Sequence, residues 1–252
     1  MSVSRERSVR ILFNTLSNRL PNSADFLDND ITLLYNGVIF VQERDLVEEA
    51  LQTTQQSILA AGKEEFLQFG YEKASLRVIA KRAQVTTGAI YGYYPDKASL
   101  FDALVMEPAE VLLERFAEIT QDFESMPLDQ QKEEMGSMTE GEMSGWLDHI
   151  YENFDAFKLV LCKSAGSRWE SYLDSLIEVE EISTANFIKR LNDSGYETPK
   201  ISPRLLHMLA SVYFTAIQEM ISHDMSRDEA EVHLAIMRDF FTAGWERILG
   251  FS

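Results

Sequence analysis

Between positions 75 and 97 the chain sets out side chains suited to one chemistry: Ser75, Arg77, Thr86, Thr87, Tyr91, Tyr93 and Lys97, with Gly88 among them. Hydroxyl and phenol groups hydrogen-bond phosphate oxygens, and Arg and Lys add charge. Thr87 also carries a methyl group that could meet the methyl of thymine. At helical spacing, Thr86 and Thr87 open a short helix, where hydroxyls and backbone amides would face phosphate. Tyr91 and Tyr93 project from the body of that helix, and Lys97 begins the next. Ser75 and Arg77 start the preceding helix and could clamp the opposite strand. The chemistry implied is contact with the backbone and base edges of duplex DNA. Any one of these residues alone is ordinary solvated surface; the inference rests on their joint placement.

Positioning them requires three short helices and a tight turn. Ile58, Leu59, Ala61, Phe66 and Phe69 follow a helical stripe that Gly70 ends. Ser75 reads as the N-cap of a second helix, with Leu76, Ile79, Ala80 and Ala83 along its buried side. After a break of about three residues, Thr86 caps a third, with Gly88, Ala89, Ile90 and Tyr94 read as facing inward. Pro95-Asp96 stops it, and Asp96 caps a connecting helix from Lys97 to about Ala109. Such a unit is a helix-turn-helix.

The run from Ile58 to Phe101, notably Phe69-Gly-Tyr71, Ala74-Ser-Leu-Arg-Val-Ile-Ala80, Thr86-Thr-Gly-Ala-Ile-Tyr91 and Tyr94-Pro-Asp-Lys97, resembles the DNA-binding domain of the tetracycline-repressor (TetR) family. The likeness is continuous over about 45 residues. It implies the same contact positions at Ser75, Thr86, Tyr91 and Lys97, and a buried aromatic at Tyr94. Four features depart from the pattern. Gln84 stands where a turn glycine is common, so either it accepts a left-handed backbone or the turn is altered. Gly92 replaces an aromatic or basic residue, Tyr93 a frequent His, and the segment Asp45–Glu49 is acidic where relatives are often basic. These put operator sequence and affinity in question, not the mode of docking.

Charge bounds the reading. The 252 residues carry a formal charge of −18, which repels polyphosphate, so a DNA-binding role must be local. Residues 57–100 hold six bases against four acids, whereas residues 101–252 hold 12 bases against 29 acids. With 45% hydrophobic residues and one cysteine, Cys162, the chain is globular, lacks an internal disulfide and suits a cytoplasmic location. No apolar run approaches the roughly 18 residues of a membrane span, and the N-terminus has no signal-peptide pattern.

The expected fold is all-α: residues 1–45 an extension without fixed structure, 46–101 the helix-turn-helix domain, and 102–252 a helical-bundle regulatory and dimerisation domain. Within the extension, Arg5–Leu20 could form a basic amphipathic helix, and Asn36-Gly37 suits a hairpin turn. Residues 125–145 read as a loop or broken helix, 146–165 and 168–194 as long helices, and about 203–223 and 228–249 as a final pair. The final pair is apolar beyond a core-facing stripe, so a second copy is expected on Leu205, Leu209, Val212, Ile217, Ile236, Phe240 and Trp245. The helices between are rich in aromatics. Phe116, Trp146, Tyr151, Phe154, Trp169 and Tyr172 are candidates for an effector pocket, and the nearby acids Asp148, Glu152 and Asp155 would favour a cationic effector. For each aromatic alone, ordinary core is the commoner explanation. The resemblance implies that an effector there shifts the connecting helix and spreads the two readers.

No catalytic constellation, phosphate loop or cofactor site is readable. The four histidines are read as lacking carboxylate partners at helical spacing, so no metal is expected, and Cys162 reads as an inert buried thiol. These features together point to a homodimeric transcription regulator, a repressor released from a palindromic DNA operator by a small molecule of unknown identity. Two alternatives are a DNA-binding interaction protein without an effector and, more distantly, a helical enzyme.

Overall fold

The computed structural model describes residues 33–35, 38–40, 43–135 and 140–251. The expected helix at Arg5–Leu20 lies outside these residues. The chain divides into two units, Met1–Gln56 and Ser57–Ser252. In the first, strands β1 (Leu33–Tyr35) and β2 (Val38–Phe40) pair antiparallel with Tyr35 opposite Val38, on either side of Asn36-Gly37. Helix α1 (Glu43–Lys73) begins in this unit and runs on into the second; its backbone is non-helical at Gly70, where φ is 77°. That left-handed turn suits a glycine and ends the regular part of the helix where the apolar stripe stops.

The second unit is helical among its described residues. Two helices of seven residues follow α1: α2 (Leu76–Arg82) and α3 (Thr87–Tyr93). Helix α4 (Lys97–Ser125) extends far beyond Ala109, passing through Pro108. Proline removes one helical donor, but Val105, Ala109, Leu112 and Phe116 are buried on both sides of it. Their packing carries the helix across the weak point. Then come α5 (Leu128–Glu134), α6 (Glu140–Glu152), α7 (Phe154–Cys162), α8 (Tyr172–Asp193), α9 (Pro203–Ser222) and α10 (Arg227–Leu249).

Caps set these boundaries. Asp96 accepts from Ser99 N at 2.7 Å to start α4. Ser202 precedes Pro203 and accepts from Leu205 N, and Ser226 with Glu229 forms a reciprocal capping box at α10. The helix expected across residues 146–165 is broken at Asn153, and the one expected from 168 starts at Tyr172. The Gly166 backbone there is left-handed, at φ 81°. Helix α8 packs between α4 and α9, and α10 against α6. One core runs from Ile58, Phe66 and Ile79 at the helix-turn-helix to Phe214 and Leu234 at the far end, and a smaller cluster gathers Met135, Phe187, Leu191 and Leu249.

Candidate functional site

Helix α3 is held from behind. Ile90 and Tyr94 are buried, as are Ile79 and Ala80 on α2. Between the helices, Val85 N donates to the Ala80 carbonyl at 2.9 Å, and Gln84 takes the left-handed backbone, φ 57°. The turn therefore keeps its geometry without glycine, at a local cost of about 1–2 kcal/mol for an L-residue.

With its apolar side fixed, α3 presents Thr86, Gly88, Tyr91 and Gly92 to solvent, and Tyr91 is 53% exposed. Gly88 thus faces outward, not inward as its place in the stripe suggested. Positions 88 and 92 lie one turn apart beside Tyr91. A Cβ at Gly92 would meet nothing within 4 Å, and one at Gly88 only the Thr86 hydroxyl at 3.8 Å. The backbone is consequently bare on the side where Tyr91 projects. Thr86 caps the helix, its hydroxyl oxygen accepting from Ala89 N at 3.1 Å, which leaves the hydroxyl hydrogen free to be donated outward. Thr87 and Tyr93 are half-buried, Ser75 is half-buried at the N-cap of α2, and Arg77 is exposed.

Lys97 is engaged within the protein. Its ammonium donates to the carbonyls of Tyr71 (2.7 Å), Glu72 (3.1 Å) and Ala74 (3.5 Å) and lies 4.6 Å from the Tyr71 ring centre. It gathers the carbonyls freed at the end of α1, where the helix dipole is negative. Glu65, which the sequence reading passed over, is a second positioning residue. It is buried, accepts from Ser75 N at 3.2 Å, and lies 3.7 Å from Arg82. Its place at i, i+3 and i+7 along Ile58, Ala61 and Glu65 was the available sign, hidden because a Lys-Glu-Glu run usually faces water.

The reader is tied to the helices behind it. Tyr71 N donates to the Lys163 carbonyl at 2.7 Å. Trp169 Nε1 and Arg168 Nε both donate to Asp102 Oδ1, at 2.7 and 3.0 Å, and Lys63 pairs with Asp155 at 2.7 Å.

Further along α4, a cavity of about 260 Å³ opens among α4, α6, α8, α9 and α10. Of the six expected aromatics, Phe116 and Trp146 line it; the other four do not. Tyr172 donates to the Ala109 carbonyl at 2.7 Å, Trp169 binds Asp102, Tyr151 donates to the Met225 carbonyl at 2.9 Å, and Phe154 packs on Tyr151. These four tie helices together nearer the reader. The acids thought to favour a cation are also elsewhere: Asp148 pairs with Arg227 and Asp155 with Lys63. Other carboxylates do reach the cavity, among them Glu180, which accepts from the Thr184 hydroxyl at 3.0 Å. Burial pushes its carboxyl above the ordinary range, partly offset by that hydrogen bond. Tyr213, also in the wall, has its phenol pushed up to about 12, first by burial and then by Glu180, with Arg238 opposing.

The residues expected to meet a second copy are only partly outward. Leu205, Val212, Ile236 and Phe240 are exposed, Phe240 at 73%. Ile217 is buried within the protein, while Leu209 and Trp245 line the cavity, because α9 turns one side to α8 and α10 one side to α6. Met208 and Val232 are exposed on the same helices. Two histidines do meet carboxylates, His223 with Glu219 at 3.0 Å and His207 with Glu181 at 2.6 Å. Among the described residues no group of three metal-ligating side chains occurs. Nor is any helix among them long and apolar enough to cross a membrane.

Comparison with known proteins falls on the same segment. Residues 58–104 match the family model of the bacterial regulatory proteins of the tetR family. That segment is thus similar to the helix-turn-helix of the tetR family. The HTH-type transcriptional regulator UidR of Escherichia coli K12 is 31% identical over 74 residues, 29% of this chain and 38% of UidR. The chain thus spans well under half the length of the curated relatives it matches. Among solved structures, the transcriptional regulator FadR of Bacillus subtilis, in complex with stearoyl-CoA, is 14% identical, with 75% of this chain and 98% of that one covered and a TM-score of 0.49. A TetR-like regulator of Rhodococcus sp. RHA1 is 16% identical, with 76% and 96% covered and a TM-score of 0.49.

Proposed function

We propose that this protein is a DNA-binding transcription regulator that acts as a homodimer and loses operator affinity when a small molecule fills the cavity among α4, α6, α8, α9 and α10. The observation that carries the reading is the face of α3, where a fixed apolar back leaves Thr86, Gly88, Tyr91 and Gly92 outward on a TetR-family helix-turn-helix. The bare backbone at Gly88 and Gly92 lets the helix lie close in the major groove while Tyr91 reaches phosphate. Arg77, Ser75, Thr87 and Tyr93 complete the contact. Lys97 then serves by holding the end of α1 in place beside the groove.

Helix α4 supports the link between ligand and DNA. Lys97 at its start belongs to the reader and Phe116 lines the cavity, about 29 Å apart at 1.5 Å per residue. A ligand that prefers one setting of this helix changes the spacing of two readers, which must sit about 34–36 Å apart to enter successive grooves. It lowers operator affinity by its own preference for the two settings.

The test is a salt-dependent gel shift on DNA upstream of the protein's own coding region. Tyr91→Ala should weaken the shift tenfold or more, about 1.4 kcal/mol, with an unchanged circular dichroism spectrum, and cell extract should release the wild-type complex. Absence of a shift, or equal affinity of the Tyr91→Ala variant, would refute the assigned face.

A further inference from the structure

We propose that the cavity selects a small aromatic ammonium cation, its charge against Glu180 and its ring among Phe116, Trp146 and Tyr213. The proposal rests on the cavity being the effector site, and names the chemistry of that effector.

Charge in the wall is the first support. Asp122, Glu134, Glu180 and Glu181 line the cavity against one base, Arg238. Glu181 already meets His207, Glu134 meets Gln130 at 2.8 Å, and Arg238 leans on Asp239 at 3.2 Å. Glu180, half-buried, has a single neutral donor, Thr184, whereas a carboxylate has about four acceptor sites. A buried carboxylate without a cation is costly, and the usual remedy is a paired charge. An anionic ligand would make that cost worse.

The second support is Trp146, more than nine-tenths buried in the same wall. Its indole Nε1 has no hydrogen-bond partner among the described residues. A buried N–H of this kind seeks an acceptor, so the ligand should carry an ether- or carbonyl-type oxygen as well as its charge. The rings of Phe116, Trp146 and Phe214, packed with centroids 5.5 Å apart, offer the faces on which an ammonium or an aromatic ring settles. Volume limits the size. A cavity of about 150 Å³ accommodates benzene, so one of about 260 Å³ holds roughly ten to fifteen non-hydrogen atoms.

The experiment is calorimetric titration of the full chain with three probes of about thirteen non-hydrogen atoms each, matched to that size. They are the cation 2-phenoxyethyltrimethylammonium, its neutral isostere 3,3-dimethylbutyl phenyl ether, and the anion 4-phenoxybutyrate. The cation should bind about tenfold or more tighter than the isostere, and the anion weakest. Glu180→Gln should remove the preference by weakening the cation alone. Leu209→Trp, which plugs the wall without touching the charge, should abolish binding of the cation and serves where Glu180→Gln does not fold. Equal binding of cation and isostere, preference for the anion, no binding of the cation at millimolar concentration, or cation binding that survives Leu209→Trp would each overturn the proposal. Binding is read without DNA, so cation binding that leaves the gel shift intact would count against effector release and not against the cation site.

Discussion

Phe240→Asp gives the cleanest test of the second-copy face. Phe240 is 73% exposed on α10, with Ile236 and Val232 one and two turns before it and also exposed. A phenylalanine presents about 200 Å², so about 150 Å² of Phe240 remains for a partner to cover. At about 25 cal/mol per Å², that is worth about 3.5 kcal/mol per protomer. In a two-fold interface each residue counts twice, and roughly half the sum survives the costs of association. The substitution should thus raise the dimer dissociation constant by roughly two to three orders of magnitude, before adding the cost of a desolvated Asp. The monomer should stay folded, because Phe240 packs on the neighbouring Phe241 ring and not on the core. Sedimentation velocity across micromolar concentrations, with a thermal melt of each species, reads both quantities. A dimer of unchanged affinity would place the interface elsewhere, and an unfolded monomer would show that Phe240 belongs to the core.

Two further outcomes follow from single residues. Gln84→Gly should raise stability by about 0.5–1 kcal/mol in urea titration, since the left-handed backbone at φ 57° costs an L-residue about 1–2 kcal/mol and glycine returns part of that as unfolded-state entropy. A loss of stability would mean that the Gln84 side chain contributes more than its backbone costs. Glu180→Gln should stabilise the ligand-free protein at neutral pH. Burial raises the Glu180 carboxyl above its ordinary range, with Thr184 opposing and Tyr213 and Arg238 the ionisable groups nearby. A raised acid favours the fold while protonated and loses that contribution as pH rises through the folded value. The advantage of Gln should therefore be present near pH 7 and shrink toward zero as pH falls below the ordinary carboxyl range; an advantage that grows on acidification would contradict it.

The helix-turn-helix was legible because every local signal there agreed: Gly70, Ser75, Thr86 and Asp96 each mark a boundary the structure uses. Gly88 was misassigned because it lacks a side chain whose burial would show its direction. The cavity was legible only as a region. Tyr151, Phe154, Trp169 and Tyr172 have the same composition as a pocket wall, yet their hydroxyl, indole and ring groups are used up on Met225, Asp102, Ala109 and one another. Which aromatic faces a void depends on how α8 packs between α4 and α9, and that long-range packing leaves no periodic trace. Glu180 was hidden for a related reason. In sequence it is one of the Glu180-Glu181 pair, which reads as a solvated face, while in the fold Glu180 turns inward and Glu181 reaches His207.

The same geometry reconciles a chain of net charge −18 with the polyanionic partner of the proposed function. Arg82 leans on Glu64 at 3.3 Å and Lys97 is held by three carbonyls, so two of the reader's bases are already committed. Arg77 and Lys81 are exposed, and neither forms an ion pair among the described residues. With so few uncommitted cations, counterion release supplies a smaller part of binding than in a basic protein. Hydroxyls, a phenol and bare helix backbone on α3 must supply the rest. Those groups act only in contact, whereas the repulsion from the acidic domain is long-ranged and screened within about 10 Å at ordinary salt. Non-specific attachment would thereby be suppressed more than docking at a fitted site, where the proposed function lays α3 in the groove. On the proposed function, an acidic regulator of this design would give up affinity for arbitrary DNA and keep its discrimination between sites.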